Sequence, residues 1–414
     1  MAEARFLTEE PSAFVEVTAS ALPRLLYVGD VPVEASYHGS ALLYRLMQDY
    51  PPSRLAIVEA GIEVSQVSRR LPGVTYRDAR LPLTRLQRSR LVSWYEAACL
   101  RSATWRAGGM MRMAREFKPD AILTVTHGYP WITAAEIACR LKIPLHLICH
   151  DEWAHLGTAR DWKDRVFAKY YRAAVSRLCV SPSMVESYKR RYGVAGDVLY
   201  PSRAADATRY AEPPARLVKN PAVFTCAFAG TISAPGTARA LRSLAAALSH
   251  RGSRLLIYGP LTPREASANG LDAENIELRG LLPSSDLMIV LREQADTLFV
   301  PMSFDAADRA NMEICFPSKL TDYTAIGLPL LIYGPRYSSA VRWANDNGRV
   351  AEVVDEESGD ALATAIDRLA DDPERRIALA RNSLTVGDAF FSHHVARSIF
   401  FSALGRSRIF RQRA

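Results

Sequence analysis

The sequence predicts an α/β protein of two domains, each a parallel sheet covered on both faces by helices, and three observations predict it. Apolar runs of about five residues alternate with longer amphipathic stretches, the rhythm of βαβ units. The rhythm begins twice, near residue 24 and near residue 223, on either side of an irregular segment, 200–220, rich in Pro, Ala and charge. The 414 residues also exceed what a single hydrophobic core organises, roughly 250–300 residues.

The elements follow in order. After a polar leader of about twenty residues, Arg24-Leu25-Leu26-Tyr27-Val28-Gly29 is a short apolar run stopped by Gly, Asp and Pro, as a buried parallel strand is. The pattern predicts a helix over 40–49, a strand over 53–58, a long helix over 91–117, a strand over 121–125, a helix over 131–141 and a strand over 144–149. In the second series strands fall at 224–230, 254–258, 276–280, 297–301 and 329–333. Helices fall at 237–250, 286–294 and 319–326. The boundary lies near Pro201, giving an N-terminal domain over 1–202 and a C-terminal domain over 203–390. A C-terminal helix over 391–414 is placed to pack back on the first domain. Two Rossmann-like domains facing one another would bring the carboxyl ends of both sheets to one central cleft, where phosphates bind well.

Composition narrows the function classes. With 49% hydrophobic and 23% charged residues the chain is globular rather than disordered. A net charge of +8, with pI near 9.2, favours anionic partners. Lys and Arg are spread along the chain, with denser runs at 85–115 and 406–413, and not concentrated on one element, so no nucleic-acid partner is expected. Cys99, Cys139, Cys149, Cys179, Cys226 and Cys315 are far apart with no CxxC pair, which indicates neither zinc nor a disulfide framework. The first residues, with Glu3, Glu9 and Glu10, lack the pattern of a signal peptide, and no stretch approaches about 18 apolar residues. The expected location is the cytoplasm. The run 85–115, with Trp94, Tyr95 and Trp105 among arginines, has two readings: an anionic membrane surface on the inner face, or a helix whose aromatics face the core while its arginines are solvated.

Candidate site residues stand where strands end. Thr126-His127-Gly128 and His150-Asp151 each follow an apolar strand, at the carboxyl edge where α/β proteins build sites. The alternative for both histidines is a strand-end side chain bonded to backbone. His38-Gly39 after the first strand is equally a plain turn or an approach to ligand. In the second domain, Pro317 starts a helix, Ser318 can cap it, and Lys319 and Asp322 sit in its first turn, either as a solvated pair or as ligand-binding charges.

The segment from Glu313 through Phe316-Pro317-Ser318-Lys319-Leu320-Thr321-Asp322-Tyr323 to Gly327-Leu328-Pro329 resembles the nucleotide-sugar site of GT-B glycosyltransferases related to family 4. Further segments resemble that family in order: Val180-Ser181-Pro182-Ser183-Met184, Val198-Leu199-Tyr200-Pro201, Phe228-Ala229-Gly230-Thr231, Ile257-Tyr258-Gly259 and Leu278-Arg279-Gly280. The resemblance implies the GT-B fold and a hexosyltransferase working without a metal or other cofactor in glycan, polysaccharide or glycolipid biosynthesis. Its donor substrate would be a nucleotide-diphosphate sugar, a UDP-sugar first, and its acceptor a saccharide or lipid-linked hydroxyl. It places Gly230 and Thr231 near the phosphates, Tyr258 and Gly259 near the base, Ser318 and Lys319 on the diphosphate and Asp322 on the ribose. His150, Asp151 and His127 would act on the transferred sugar or acceptor. Two departures stand out. Glu313 and Asp322 are nine apart where the family has eight, and the Arg/Lys pair expected after the glycine turn is absent, with Lys319, Arg203 or Arg279 left to replace it. Two rival readings share the fold: a sugar-nucleotide 2-epimerase, and a catalytically silent binding protein.

Overall fold

The computed structural model describes residues 22–36, 38–80, 86, 89–153, 160–232 and 234–413. The polar leader, Ser233, and Arg85 and Arg88 of the basic stretch lie outside the described residues, as do the side chains of His38 and of the basic run after Ser407. The chain divides into two compact units. The first comprises Met1–Cys179, Tyr188–Leu199 and His394–Ala414, and the second Val180–Ser187 and Tyr200–His393.

In the first unit the order is β1 (Leu25–Gly29), α1 (His38–Met47), β2 (Leu55–Glu59), β3 (Thr75–Asp78), α2 (Val92–Phe117), β4 (Ala121–Val125), α3 (Pro130–Leu141), β5 (Leu145–Cys149), α4 (Arg160–Ala173) and β6 (Ser176–Cys179). After α5 (Pro182–Tyr192), β7 (Asp197–Val198) completes a seven-stranded parallel sheet in the order β3-β2-β1-β4-β5-β6-β7. All five residues of β1, β2, β4 and β5 are buried, because both faces of a parallel sheet carry helices. Strand β2 starts later than the pattern predicts, since Pro52–Arg54 makes a 3-10 turn ahead of it. Edge strand β3, Thr-Tyr-Arg-Asp, has no buried residue and hence no apolar run to announce it.

The second unit runs β8 (Thr225–Ala229), α6 (Pro235–Ser249), β9 (Arg254–Tyr258), α7 (Pro263–Ala268), β10 (Ile276–Gly280), α8 (Ser284–Gln294), β11 (Thr297–Pro301), α9 (Arg309–Ile314), α10 (Lys319–Tyr323), β12 (Leu330–Tyr333), α11 (Ser339–Asp346), β13 (Glu352–Val354), α12 (Gly359–Asp371) and α13 (Pro373–Phe391). Its parallel sheet has the order β10-β9-β8-β11-β12-β13. Fully buried Arg376 is a structural cation: its guanidinium donates to the carbonyls of Leu369 and Ala370 at the end of α12 and to those of Leu217 and Lys219. Helix α10 is shorter than the predicted 319–326, because the chain turns after Tyr323 and passes through Gly327 at φ 73°.

The last helix, α14 (His393–Arg413), belongs to the first unit's core. Ala396, Phe400, Phe401, Ala403 and Leu404 are buried among Leu25, Tyr27, Leu43, Met47 and Leu55. Tyr50 meets Phe401 edge-on at 5.9 Å. Two polar ties fix its register: Arg406 forks onto Asp197 at 2.6 and 3.0 Å, and buried His146 bonds Ser176 at one ring nitrogen and Ser407 at the other, at 2.7 and 2.8 Å. Burial pushes His146 down to about 3, so it is a neutral structural residue. Among the described residues no helix is long and apolar enough to cross a membrane. Truncating Phe400, which is fully buried, to Ala should destabilise the first unit by about 3–4 kcal/mol, read as a lower urea midpoint at unchanged slope.

Candidate functional site

In the second unit the site grows out of the carboxyl ends of β8 and β9, beside β8/β11, where the strand order reverses. Gly230 follows β8 at φ 144° and Gly259 follows β9 at φ 157°. Each must be glycine: a Cβ on Gly259 would lie 2.5 Å from the Gly230 carbonyl oxygen, and one on Gly230 would lie 2.5 Å from Lys319 Cε and 2.9 Å from its Nζ. Their N–H groups are already committed, Gly230 to the Tyr258 carbonyl at 2.8 Å and Gly259 to the Gly280 carbonyl at 2.9 Å. These glycines therefore supply close approach to the main chain rather than hydrogen bonds.

Lys319 is placed by the residue one turn after it. Buried Tyr323 accepts the Ala229 N–H at its phenolic oxygen, 2.7 Å, and so clamps α10 to the last residue of β8. The Lys319 ammonium consequently lies against Gly230 and 5.1 Å from the centre of the Phe228 ring. Burial alone pushes its pKa down, and no carboxylate pairs with it among the described residues. A desolvated ammonium without a counter-charge is a standing demand for an anion. The segment carrying it is fastened through its main chain: Ser181 Oγ donates to the Ile314 carbonyl at 2.5 Å, Ser339 Oγ to that of Cys315, and Arg342 to that of Glu313.

Several expectations need correction here. Ser318 is exposed, in helical conformation, and its side chain makes no capping hydrogen bond. Five-residue α10 is too short to offer the helix-end field expected of it, so the charge on Lys319 carries the electrostatics instead. Tyr258 is buried, its hydroxyl donates to Gln294 Oε1 at 3.1 Å, and its carbonyl accepts the Gly230 N–H at 2.8 Å. Neither proposed substitute arginine is free: Arg203 is buried on the Thr321 carbonyl, Thr324 Oγ1 and Asp388, and Arg279 pairs with Glu277 at 2.5 Å. Thr231 is exposed beside Gly230, and Asp322 is half-buried on α10.

In the first unit a second cluster stands at the carboxyl ends of β1, β4 and β5, adjacent strands at that sheet's own reversal point. His127 Nδ1 lies 2.6 Å from Asp30 Oδ2, and the His127 side chain is 49% exposed. Asp30 sits between two glycines: a Cβ on Gly61 would fall 2.2 Å from its Oδ1, and one on Gly128 2.5 Å from its Oδ2. The His127-Gly128 turn is held from behind, where Trp153 Nε1 donates to the Gly128 carbonyl at 2.7 Å and Trp153 packs edge-on against Trp131 at 4.8 Å. The bond to Asp30, helped by the Asp30 and Asp151 charges and opposed by burial, raises the His127 pKa. Burial pushes His150 the other way, making it neutral at neutral pH. Half-buried Asp151 gives its carbonyl to the Trp153 N–H at 2.9 Å. Sequence reasoning proposed His127, His150 and Asp151 but missed Asp30, whose one signal was its place directly after an apolar strand.

The basic helix departs from one of the two expectations. Tyr95 is buried on α2, but Trp94 and Trp105 are 76% and 81% exposed, so the reading that sends all three aromatics to the core fails.

Residues 53–201, less than half of the chain, match the profile of Glycosyltransferase Family 4. Among solved structures, HepE from Anabaena in complex with UDP and glucose is similar at 13% identity and TM-score 0.66, covering 92% of this chain and 99% of that one. The α,α-trehalose 6-phosphate synthase of Burkholderia multivorans is similar at 14% identity and TM-score 0.67, over 95% and 99% of the two chains. WaaG, a glycosyltransferase of lipopolysaccharide biosynthesis, is similar at 15% identity and TM-score 0.59, over 91% and 99%. The search of curated proteins gives no match. The chain thus has the GT-B glycosyltransferase fold, with the family 4 match in its N-terminal half.

Replacing Asp30 with Asn should lower the titration midpoint of His127, followed by the NMR shift of its ring protons. The sign for stability follows from the raised pKa: the pair's contribution is full below the ordinary histidine pKa near 6.5 and is lost as pH rises through the raised one. Asp30→Asn should therefore flatten the pH dependence of stability across that window.

Proposed function

We propose that this chain is a glycosyltransferase whose second unit binds a nucleotide-diphosphate sugar and whose first unit presents the accepting hydroxyl. The observation that carries the reading is Lys319, a desolvated ammonium with no carboxylate partner among the described residues, lying against the Gly230 turn. A diphosphate is the natural occupant: it supplies the missing negative charge, and Lys319 then stabilises it as it departs. Asp322 accepts from the ribose hydroxyls, and Ser318 and Thr231, both exposed, donate to phosphate oxygens. With a lysine neutralising the leaving group, transfer needs no metal ion.

On the first unit, neutral His150 orients a sugar or acceptor hydroxyl, and His127, kept charged further into the neutral range by Asp30, binds an electronegative group of the acceptor. Asp151 positions the same hydroxyl. The acceptor class is a saccharide or a lipid-linked sugar, the transferred group a hexose, the donor UDP-linked, and the setting glycan biosynthesis at the cytoplasmic face of a membrane. HepE, which holds UDP and glucose, supports uridine as the first base to test.

A second reading, a nucleotide-binding protein without transfer, rests on the commitment of Arg203 and Arg279 to other partners, which leaves Lys319 without a companion cation from the expected set. Calorimetry with UDP, GDP and ADP separates the cases in steps. One nucleotide should bind, and Lys319→Ala should weaken it by about tenfold to a hundredfold, the worth of one charge-assisted contact. No binding of any nucleotide would overturn the donor site. Binding without turnover of the matching sugar nucleotide would favour the silent protein, and epimerised sugar from donor alone would favour the epimerase.

A further inference from the structure

The first unit carries a second feature that this reading does not use. Along α2 runs an open, largely apolar groove of about 920 Å³, within the size range of small-molecule sites. Leu91, Trp94, Ala98, Trp105 and Met110 line it, and Arg106 joins them. Leu91, Trp94 and Trp105 are 51%, 76% and 81% exposed, a run of large apolar surface with nothing over it among the described residues.

The groove reaches the carboxyl edge of the same unit's sheet. One wall is formed by Asp78, which ends β3, and by Ala79 and Arg80, which follow it as Asp30 follows β1. Its inner lining includes Tyr95 and Cys99. Burial, the Cys99 thiol and, less strongly, the Asp30 carboxylate push the Tyr95 hydroxyl up, and burial with smaller pushes from Glu96 and then Asp30 does the same to Cys99. Asp30 is thus an electrostatic neighbour of the groove's floor. The charge along the groove is uneven. Arg80 is neutralised by Asp78 at 2.7 Å, whereas Arg106 donates to the Cys99 carbonyl at 2.8 Å and has no carboxylate partner among the described residues. Two of its nitrogens, Nε and Nη1, are buried without a hydrogen-bond partner.

We propose that this groove holds the hydrocarbon chain of an amphiphilic acceptor, with an anionic phosphate linkage drawn to Arg106 and the accepting hydroxyl carried towards Asp30 and His127. The inference rests on the acceptor half of the function proposed above. Apolar walls take the chain, tryptophans at the mouth suit a boundary between hydrocarbon and water, and the one unneutralised guanidinium in the lining suits a phosphate. An acceptor that is a free sugar would leave all three unexplained.

The probe is decyl phosphate brominated near the end of its chain, kept below its micelle concentration, with tryptophan fluorescence as the readout. Saturable quenching is expected, since bromine in the groove lies beside Trp94 and Trp105. Shortening the chain by two methylenes should weaken binding about tenfold. Brominated decanol, without the anion, should bind several-fold more weakly. The variant Gly109→Phe projects a ring into the groove: Gly109 lines it, and a Cβ there would meet nothing within 4 Å, so the backbone accepts a side chain at this position. It should reduce affinity for the brominated phosphate at least tenfold while thermal stability and nucleotide affinity stay unchanged. Absence of quenching, quenching indifferent to Gly109→Phe or to chain length, or association only with intact vesicles and equally in the variant, would each overturn the proposal. Nucleotide calorimetry on the same samples keeps the two readings apart: lost nucleotide binding with intact quenching would sink the donor site and leave the groove standing.

Discussion

An ammonium that is half out of water, with no carboxylate partner among the described residues, is unfavourable, and the second unit is organised to hold one. Lys319 reaches its position because Tyr323 ties α10 to the end of β8, because Phe228 offers a ring face beneath it, and because Gly230 has no side chain to keep it away. Remove any one and the lysine can relax into solvent. Around it the sheet order, the glycine turns and the main-chain fastenings from Ser181, Ser339 and Arg342 serve one end: they prevent the segment 309–323 from moving to relieve that charge. Such an arrangement persists only where the surroundings over-determine it.

The first unit solves a related problem with opposite charges. Asp30 is sheltered between Gly61 and Gly128 and bonded to a histidine that remains open to solvent on its other side. The aromatic cluster behind the turn, Trp131 edge-on to Trp153 and Trp153 stacked on Phe167, stiffens the backbone that carries His127. In both units rigidity lies in buried aromatics and strands, while the groups able to meet a ligand stand at the carboxyl edge, where helices and loops leave the sheet.

Much of this was legible in the amino-acid order because the information is local. Strands β4, β9, β10 and β11 have the bounds their residue patterns predict, and in β4, β9 and β11 the cause is a short apolar run between turn residues that leaves little freedom. Lys319 announced itself through Pro317-Ser318 and the Gly327-Leu328-Pro329 exit. What failed was non-local. Asp30 acquires its role from a histidine 97 residues away, a pairing made by sheet order and invisible in either segment. Edge strand β3 has no buried residue to mark it. The solvent exposure of Trp94 and Trp105 depends on which face of α2 packs on α3, and a helix with aromatics on more than one face does not declare that by itself.

The return of α14 to the first unit has a consequence for how the protein is made. Phe400, Phe401 and Leu404 belong to the core built on β1 and β2, yet they leave the ribosome after all of the second unit. During synthesis at about 5–20 residues per second, the first sheet must wait many seconds with part of its apolar surface uncovered. The second unit has every one of its strands before that wait ends. Order of emergence and order of completion are therefore reversed, and the half of the chain that is translated first is the half that closes last.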